Sequence, residues 1–123
     1  MERLSNDEFA EMVFKRLKEL ALKCIPICDK LFNLTPSARN ISRQLAKSSS
    51  SSAANYRAAR RARSKNEFYS KLSIVIEELD ETEFWLEFSL DAGYVSEIQV
   101  RNLIIEAQEL LKILSKSRKT LNN

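Results

Sequence analysis

Few residue types in this chain could do covalent or metal chemistry. There is no histidine, which removes Ser-His-Asp and Cys-His nucleophilic catalysis, His-ligated zinc and the Glu-x-x-His pattern of di-iron bundles. Cys24 and Cys28 are four residues apart and share one helix face. Two thiolates without a histidine or a third cysteine make an incomplete zinc site, and free cysteine is among the most buried residue types. The pair is therefore read as core thiols rather than as a metal or redox pair. The carboxylates Glu77, Glu78, Asp80, Glu81, Glu83 and Glu87 crowd one stretch. Glu83 and Glu87 share a face on which a hard cation could sit with help from other helices. No glycine-rich loop or phosphate-cradling turn accompanies them, so no substrate is implied and solvated surface is the better reading. No catalytic residue, metal site or cofactor is expected, and the protein is not expected to be an enzyme.

The remaining chemistry is electrostatic. Between Pro36 and Asn66 stand Arg39, Arg43, Lys47, Arg57, Arg60, Arg61, Arg63 and Lys65, with no Asp or Glu. At about 100° per residue, Arg39, Arg43, Lys47, Arg57 and Arg61 fall within an arc of roughly 80°. Ala38, Ile41, Leu45, Ser48, Ser52, Tyr56 and Ala59 gather on the opposite side. The pattern predicts one long helix with a basic stripe outward and a narrow seam of small residues inward. Arg60, Arg63 and Lys65 widen the patch at the helix end. Such a stripe suits the phosphate backbone of RNA or DNA. No base-reading motif accompanies it, and Tyr56 lies on the inward side, so binding should be nearly blind to sequence.

The elements that must position these groups are helical. One glycine and two prolines in 123 residues leave few turn makers, and the length fits one domain spanning residues 1–123. Net charge is +3 but uneven: residues 1–35 balance, 36–66 carry +8, 67–93 carry −7 and 94–123 carry +2. No apolar run approaches the ~18 residues of a membrane span, no signal peptide opens the chain, and two unpaired cysteines fit a reducing, cytoplasmic setting.

The first helix is expected over about 6–31, with a capping box of Ser5 and Glu8. Its inward face is Phe9, Val13, Leu17, Leu20, Cys24, Ile27 and Leu31. Pro26 should kink it; the alternative is an end near Cys24. Thr35 and Pro36 open the second helix, expected over 36–62. Its Ser48–Ser52 run could be a flexible linker, but the angular registry is kept on both sides of it. The continuous helix is therefore expected, with hydroxyls bonding back to the preceding turn. A Ser64/Glu67 box starts the third helix, over 65–92, with Phe68, Leu72, Val75, Leu79, Thr82, Leu86 and Leu90 inward. Ile74, Phe84, Trp85 and Phe88 form a second apolar strip among acidic residues. They either tuck under a neighbouring helix or meet another subunit of a homo-oligomer. Gly93 falls where a left-handed residue ends that helix. Ser96 and Gln99 open the fourth, over 97–119, with Val100, Leu103, Ala107, Leu110, Leu114 and Leu121 inward. Four helices with short connections specify an all-α, up-down-up-down antiparallel four-helix bundle.

Several motifs, in their order and spacing, carry a family resemblance. They are Gln44-Leu45, the serine run through Asn55-Tyr56, Arg61-Ala62-Arg63-Ser64-Lys65-Asn66-Glu67-Phe68, Lys71-Leu72-Ser73-Ile74, Glu77-Glu78-Leu79-Asp80-Glu81-Thr82, Trp85-Leu86 and Gly93-Tyr94. Over roughly residues 9–118 the chain resembles the four-helix-bundle proteins encoded by intervening sequences in 23S ribosomal RNA genes. The resemblance implies a four-helix bundle that assembles into a homopentamer and carries no assigned enzymatic activity. Relatives serve as accessory variability determinants of diversity-generating retroelements, so it also implies nucleic acid and a reverse transcriptase as partners. Two features depart from the family pattern: Ala58 and Ala59 stand where an acidic residue is common, and Pro26 interrupts the first helix.

The residues thus support two functions. One is a nucleic-acid-binding homo-oligomer acting through the basic second helix. The other is a structural or protein-interaction oligomer in which the +8 and −7 helices neutralise each other, within a subunit or between neighbours.

Overall fold

A computed structural model describes residues 6–121 as four α-helices: α1 (Asn6–Phe32), α2 (Pro36–Arg60), α3 (Lys65–Asp91) and α4 (Glu97–Leu121). The Ser5 half of the expected first cap lies outside the described residues, as does the side chain of Leu121. Consecutive helices pack side by side, α1 on α2, α2 on α3 and α3 on α4, and α1 meets α4 to close the ring. This is the all-α four-helix bundle that the periodicity predicts.

The inward faces agree residue by residue. Val13, Leu17, Leu20, Cys24, Ile27 and Leu31 of α1 are buried, as are Leu72, Val75, Leu79, Thr82 and Leu86 of α3. Val100, Leu103, Ala107, Leu110 and Leu114 complete the core from α4. Phe9, Phe68 and Leu90, at the ends of their faces, are only partly buried.

The serine run is helix throughout. Ser48, Ser49 and Ser52 are buried, and each hydroxyl finds an acceptor in the turn before it. Ser52 Oγ donates to the Ser49 carbonyl at 2.8 Å, and Ser50 Oγ to that of Ala46 at 2.7 Å. Burying a hydroxyl without a partner is costly, and this back-bonding removes the cost. Two further bonds cross between helices. Thr82 Oγ1 lies 3.0 Å from Ser48 Oγ, and Ser42 Oγ donates to the Cys28 carbonyl at 2.7 Å. Small side chains thus let α2 sit between α1 and α3 with polar contacts on both sides.

Pro26 does not end α1 at Cys24; the helix runs to Phe32. Pro26 and Leu22 both face outward, so the carbonyl that proline deprives of its amide partner lies on the solvent side of the helix. At the other end of the bundle α2 stops at Arg60, two residues before the expected Ala62. The Arg61 and Ala62 amides have already tightened onto carbonyls three residues back, Ala58 at 3.1 Å and Ala59 at 3.0 Å.

The caps form with one systematic difference. Thr35 Oγ1 accepts from Ala38 N at 3.0 Å. Ser64 Oγ accepts from Glu67 N at 3.1 Å, but the Glu67 carboxylate turns to Arg63 at 3.6 Å instead of closing the box. At α4 the other half forms: Gln99 Oε1 accepts from Ser96 N at 2.8 Å. Gly93, at φ +77°, ends α3 in a Schellman motif, with Gly93 N on the Leu90 carbonyl and Tyr94 N on that of Ser89, both 3.0 Å.

Candidate nucleic-acid interface

Because Ala38, Ile41, Leu45, Ser48, Ser52, Tyr56 and Ala59 are all buried, the opposite side of α2 must face water. Arg39, Arg43, Lys47, Arg57 and Arg61 are all exposed there. From Arg39 to Arg61 the ridge runs about 33 Å at 1.5 Å per residue. It has two clusters, Arg39/Arg43/Lys47 and Arg57/Arg61, separated by roughly 15 Å of serine and alanine surface. Among the described residues none of these five cations is in an ion pair.

The α1 end adds something the sequence pattern did not reveal. Phe32, the last residue of α1, lies under two guanidinium groups, with Arg39 at 4.8 Å and Arg43 at 5.6 Å from the ring centre. Arg39 Nε also donates to the Phe32 carbonyl at 3.0 Å. It therefore caps the negative end of α1, and the contact holds two cations of the ridge in fixed positions. The one sequence signal was an aromatic at the end of one helix, seven residues before an arginine at the start of the next.

The three outlying basic residues divide. Arg60 is half-buried and committed to α1, with Nη1 2.7 Å from Glu11 and Nη2 3.5 Å from Asp7. The hydrogen bond from Arg60 holds the Glu11 carboxyl below its ordinary pKa. Arg63 is exposed and shares Glu67, and Lys65 is exposed at the start of α3. Arg60 therefore ties α1 to α2, while Arg63 and Lys65 sit at the end of the ridge.

The acidic face of α3 stays separate from the ridge. No ion pair joins the five ridge cations to α3 among the described residues. Glu78, beside the seam, has its carboxyl raised in pKa by burial and then by Glu81, with Lys47 opposing; its Oε2 is buried without a hydrogen-bond partner. Glu87 is raised chiefly by its hydrogen bond with Glu83. Glu83 in turn accepts from Gln108 at 2.7 Å. Among the described residues the ridge and α3 therefore meet without a direct ion pair, Lys47 acting on the Glu78 carboxylate only from beyond contact distance.

On the same helix Phe84 and Phe88 are 53% and 46% exposed and Ile74 is 38% exposed, while Trp85 is half-buried against the core. Phe84 and Phe88 stack at 5.6 Å, and Trp85 meets both edge-on at 4.9 and 5.7 Å. Of the four only Trp85 tucks inward; Phe84 and Phe88 form an outward aromatic patch, with Ile74 exposed nearer the start of α3.

Cys24 and Cys28 are buried and unbonded. Burial pushes their thiols up to about 12 and about 11, which keeps both protonated and unreactive near neutrality. Among the described residues no group of three or more Cys, Asp or Glu side chains is placed to hold a metal ion, and no helix is long and apolar enough to cross a membrane.

Fold and surface together define an all-α four-helix bundle with a basic ridge on one helix and an acidic, aromatic face on the next. The chain belongs to the 23S rRNA-intervening sequence protein family, whose pattern it matches over residues 11–116. It is similar to a protein of unknown function from the S23 ribosomal protein family of Bacteroides thetaiotaomicron VPI-5482, solved by crystallography at 1.70 Å. The two are 29% identical with a TM-score of 0.78, over 87% of this chain and 98% of the other. No curated protein matches it.

Proposed function

We propose that the protein binds the phosphate backbone of nucleic acid through the ridge of Arg39, Arg43, Lys47, Arg57 and Arg61. The observation that carries this reading is that all five are exposed on one face of α2 and none is in an ion pair among the described residues. A cation already neutralised by a carboxylate gains little by exchanging it for a phosphate; these have no such partner to give up. Recognition is electrostatic, with log affinity falling against log salt by about 0.9 per phosphate contact on duplex DNA. The test is affinity against salt for the parent and for a triple variant, Arg43→Glu, Lys47→Glu and Arg57→Glu, with particle mass followed alongside. The variant should bind more weakly and with a shallower slope. A parent that binds neither RNA nor DNA at ~50 mM salt would refute the proposal.

Self-association belongs to the same reading. Ile74, Phe84, Trp85 and Phe88 form the contact of a homo-oligomer, a pentamer by resemblance to the family, which repeats the ridge once per subunit. Burying a large aromatic contributes about 1.5–3 kcal/mol per copy, so Phe84→Glu, at the most exposed of the four, should shift the sedimentation distribution to lighter species. A parent that sediments as a monomer at high micromolar concentration would overturn this part. The narrowest form of the proposal is an accessory role beside a reverse transcriptase, checked by co-purification with one encoded next to this gene.

A second reading has its own support, because the acidic face of α3 is also unmatched within the subunit. In it, the ridge meets Glu77, Asp80 and Glu81 of a neighbouring copy and no nucleic acid is bound. Loss of assembly rather than loss of affinity in the triple variant would select it.

A further inference from the structure

The end of the bundle where α2 turns into α3 contains a cavity of about 910 Å³, reached by all four helices. Phe9 and Ala10 of α1, Phe68 and Leu72 of α3 and Ile113 of α4 give it apolar walls, and Tyr56 of α2 lines it from within. Tyr56 is only 3% exposed. Its hydroxyl has no hydrogen-bond partner among the described residues, yet it is not among the polar atoms sealed from solvent. It therefore opens onto the cavity, and burial raises its pKa, so it stays a neutral donor and acceptor. The surroundings are basic. Lys116 lines the cavity, Arg61, Arg63 and Lys65 occupy the adjoining turn, and Arg118 and Lys119 close α4. Of the facing carboxylates, Asp7 and Glu11 are engaged by Arg60 and Glu67 by Arg63.

We infer that this cavity takes one unpaired nucleobase, with the flanking phosphates on the cations at its mouth. The inference rests on the nucleic-acid reading above and deepens it. The body of a base is flat and apolar on its faces and stacks on aromatic side chains such as Phe9 and Phe68. Its polar edge needs at least one partner in an otherwise apolar site, and the open Tyr56 hydroxyl, which both donates and accepts, can serve any base. The surrounding cations suit a polyanion better than a molecule with a single charged head. A paired base would have to leave its stack before entering, so the cavity selects single strands and strand ends over intact duplex. That selectivity is absent from the ridge alone, which meets phosphates on either.

The test compares a single-stranded oligonucleotide of about ten nucleotides, within the span of known single-strand sites, with a blunt duplex of the same sequence. The single strand carries one 2-aminopurine as a fluorescent base. The parent should bind the single strand roughly tenfold more tightly, as base stacking on aromatics does elsewhere, with a change in 2-aminopurine emission. Tyr56→Phe, which deletes only the hydroxyl, and Ala10→Phe, which projects a ring into the cavity from its apolar wall, should both bring the two affinities toward parity and leave the duplex salt slope unchanged. Equal binding of both forms by the parent, with silent 2-aminopurine, overturns the inference and leaves the ridge reading standing. No binding of either form overturns both. A single-strand preference that survives both variants places the base elsewhere, on the α3 aromatic patch, and also overturns it. So does saturable binding of anilinonaphthalene sulfonate that Ala10→Phe abolishes when oligonucleotides show no preference, since the occupant is then a small amphipathic anion.

Discussion

Replacing Arg16 with Gln tests how the seam between α1 and α4 is held. Arg16 Nε and Nη2 meet the two oxygens of Glu106 at 2.9 and 2.6 Å, and Nη2 also lies 3.0 Å from Glu109. The Arg16 and Glu106 side chains keep 27% and 30% of their surface exposed, so water screens the pair only in part. A bidentate, charge-assisted contact of this kind contributes about 1.5–3 kcal/mol. For a chain of this length a loss of about 2 kcal/mol lowers Tm by roughly 8 °C. The pH dependence separates the ion pair from mere packing. The hydrogen bond from Arg16 holds the Glu106 carboxyl below its ordinary value. A lowered folded-state pKa means that the stabilisation is full above the unfolded carboxylate value of about 4.3 and is lost as pH falls through the folded value. Thermal melts of parent and variant should therefore differ clearly at neutral pH and converge in acid. An equal gap at both pH values would refute this account and assign the loss to the arginine stem covering apolar surface. No gap at neutral pH would mean that the clamp contributes nothing.

Two further perturbations follow from the same structure. Ser50→Pro removes an amide from the middle of α2 and drives a ring against the Ala46 carbonyl, so urea unfolding should show a loss of about 3 kcal/mol or more; a parent-like midpoint would mean that the run does not need to be helical. Cys24 and Cys28, buried with thiols pushed up to about 12 and about 11, should resist a thiol reagent at pH 8 until denaturant is added, and prompt labelling of the folded protein would contradict their core placement.

The parts of this protein that were legible in its sequence are those set by repetition along one helix. Three- and four-residue steps of Leu, Val and Ile fixed the buried faces, and the continuity of Arg43 and Lys47 with Arg57 across five serines identified α2 as one rod. Helix ends were legible to within a residue or two, because Thr35 and Ser64 cap through hydroxyls that reach only their own helix, and Pro36 and Gly93 act through their own backbone. What could not be read was which separate helices bring their ends together. Arg60 pairs with Glu11 across 49 positions and Arg16 with Glu106 across 90, and local periodicity carries no information on either. The same holds for Phe9, Tyr56 and Phe68. Each reads singly as the end residue of an apolar face, and their convergence around one cavity exists only in three dimensions. Phe32 was missed for a simpler reason: it falls off the inward face of α1 and had no assigned partner until α2 folded back over it.

The two buried hydroxyl bridges have a consequence for how the bundle comes apart. Ser42 fastens α2 to a backbone carbonyl of α1, and Thr82 fastens α3 to Ser48 of α2. Neither bridge involves α4. Its side-chain links to α1 and α3 are exposed or only part-buried, from Gln99, Glu106, Glu109 and Gln108, and the cavity lies beneath its last turns. The first three helices are therefore expected to act as one cooperative unit, with α4, despite its buried Val100, Ala107 and Leu110, the segment that opens first. In native-state hydrogen exchange the amides of α4 should open before those of α2, at a free energy below that of global unfolding. Lifting α4, which supplies one wall of the cavity, would widen the cavity mouth and leave the ridge on α2 in place.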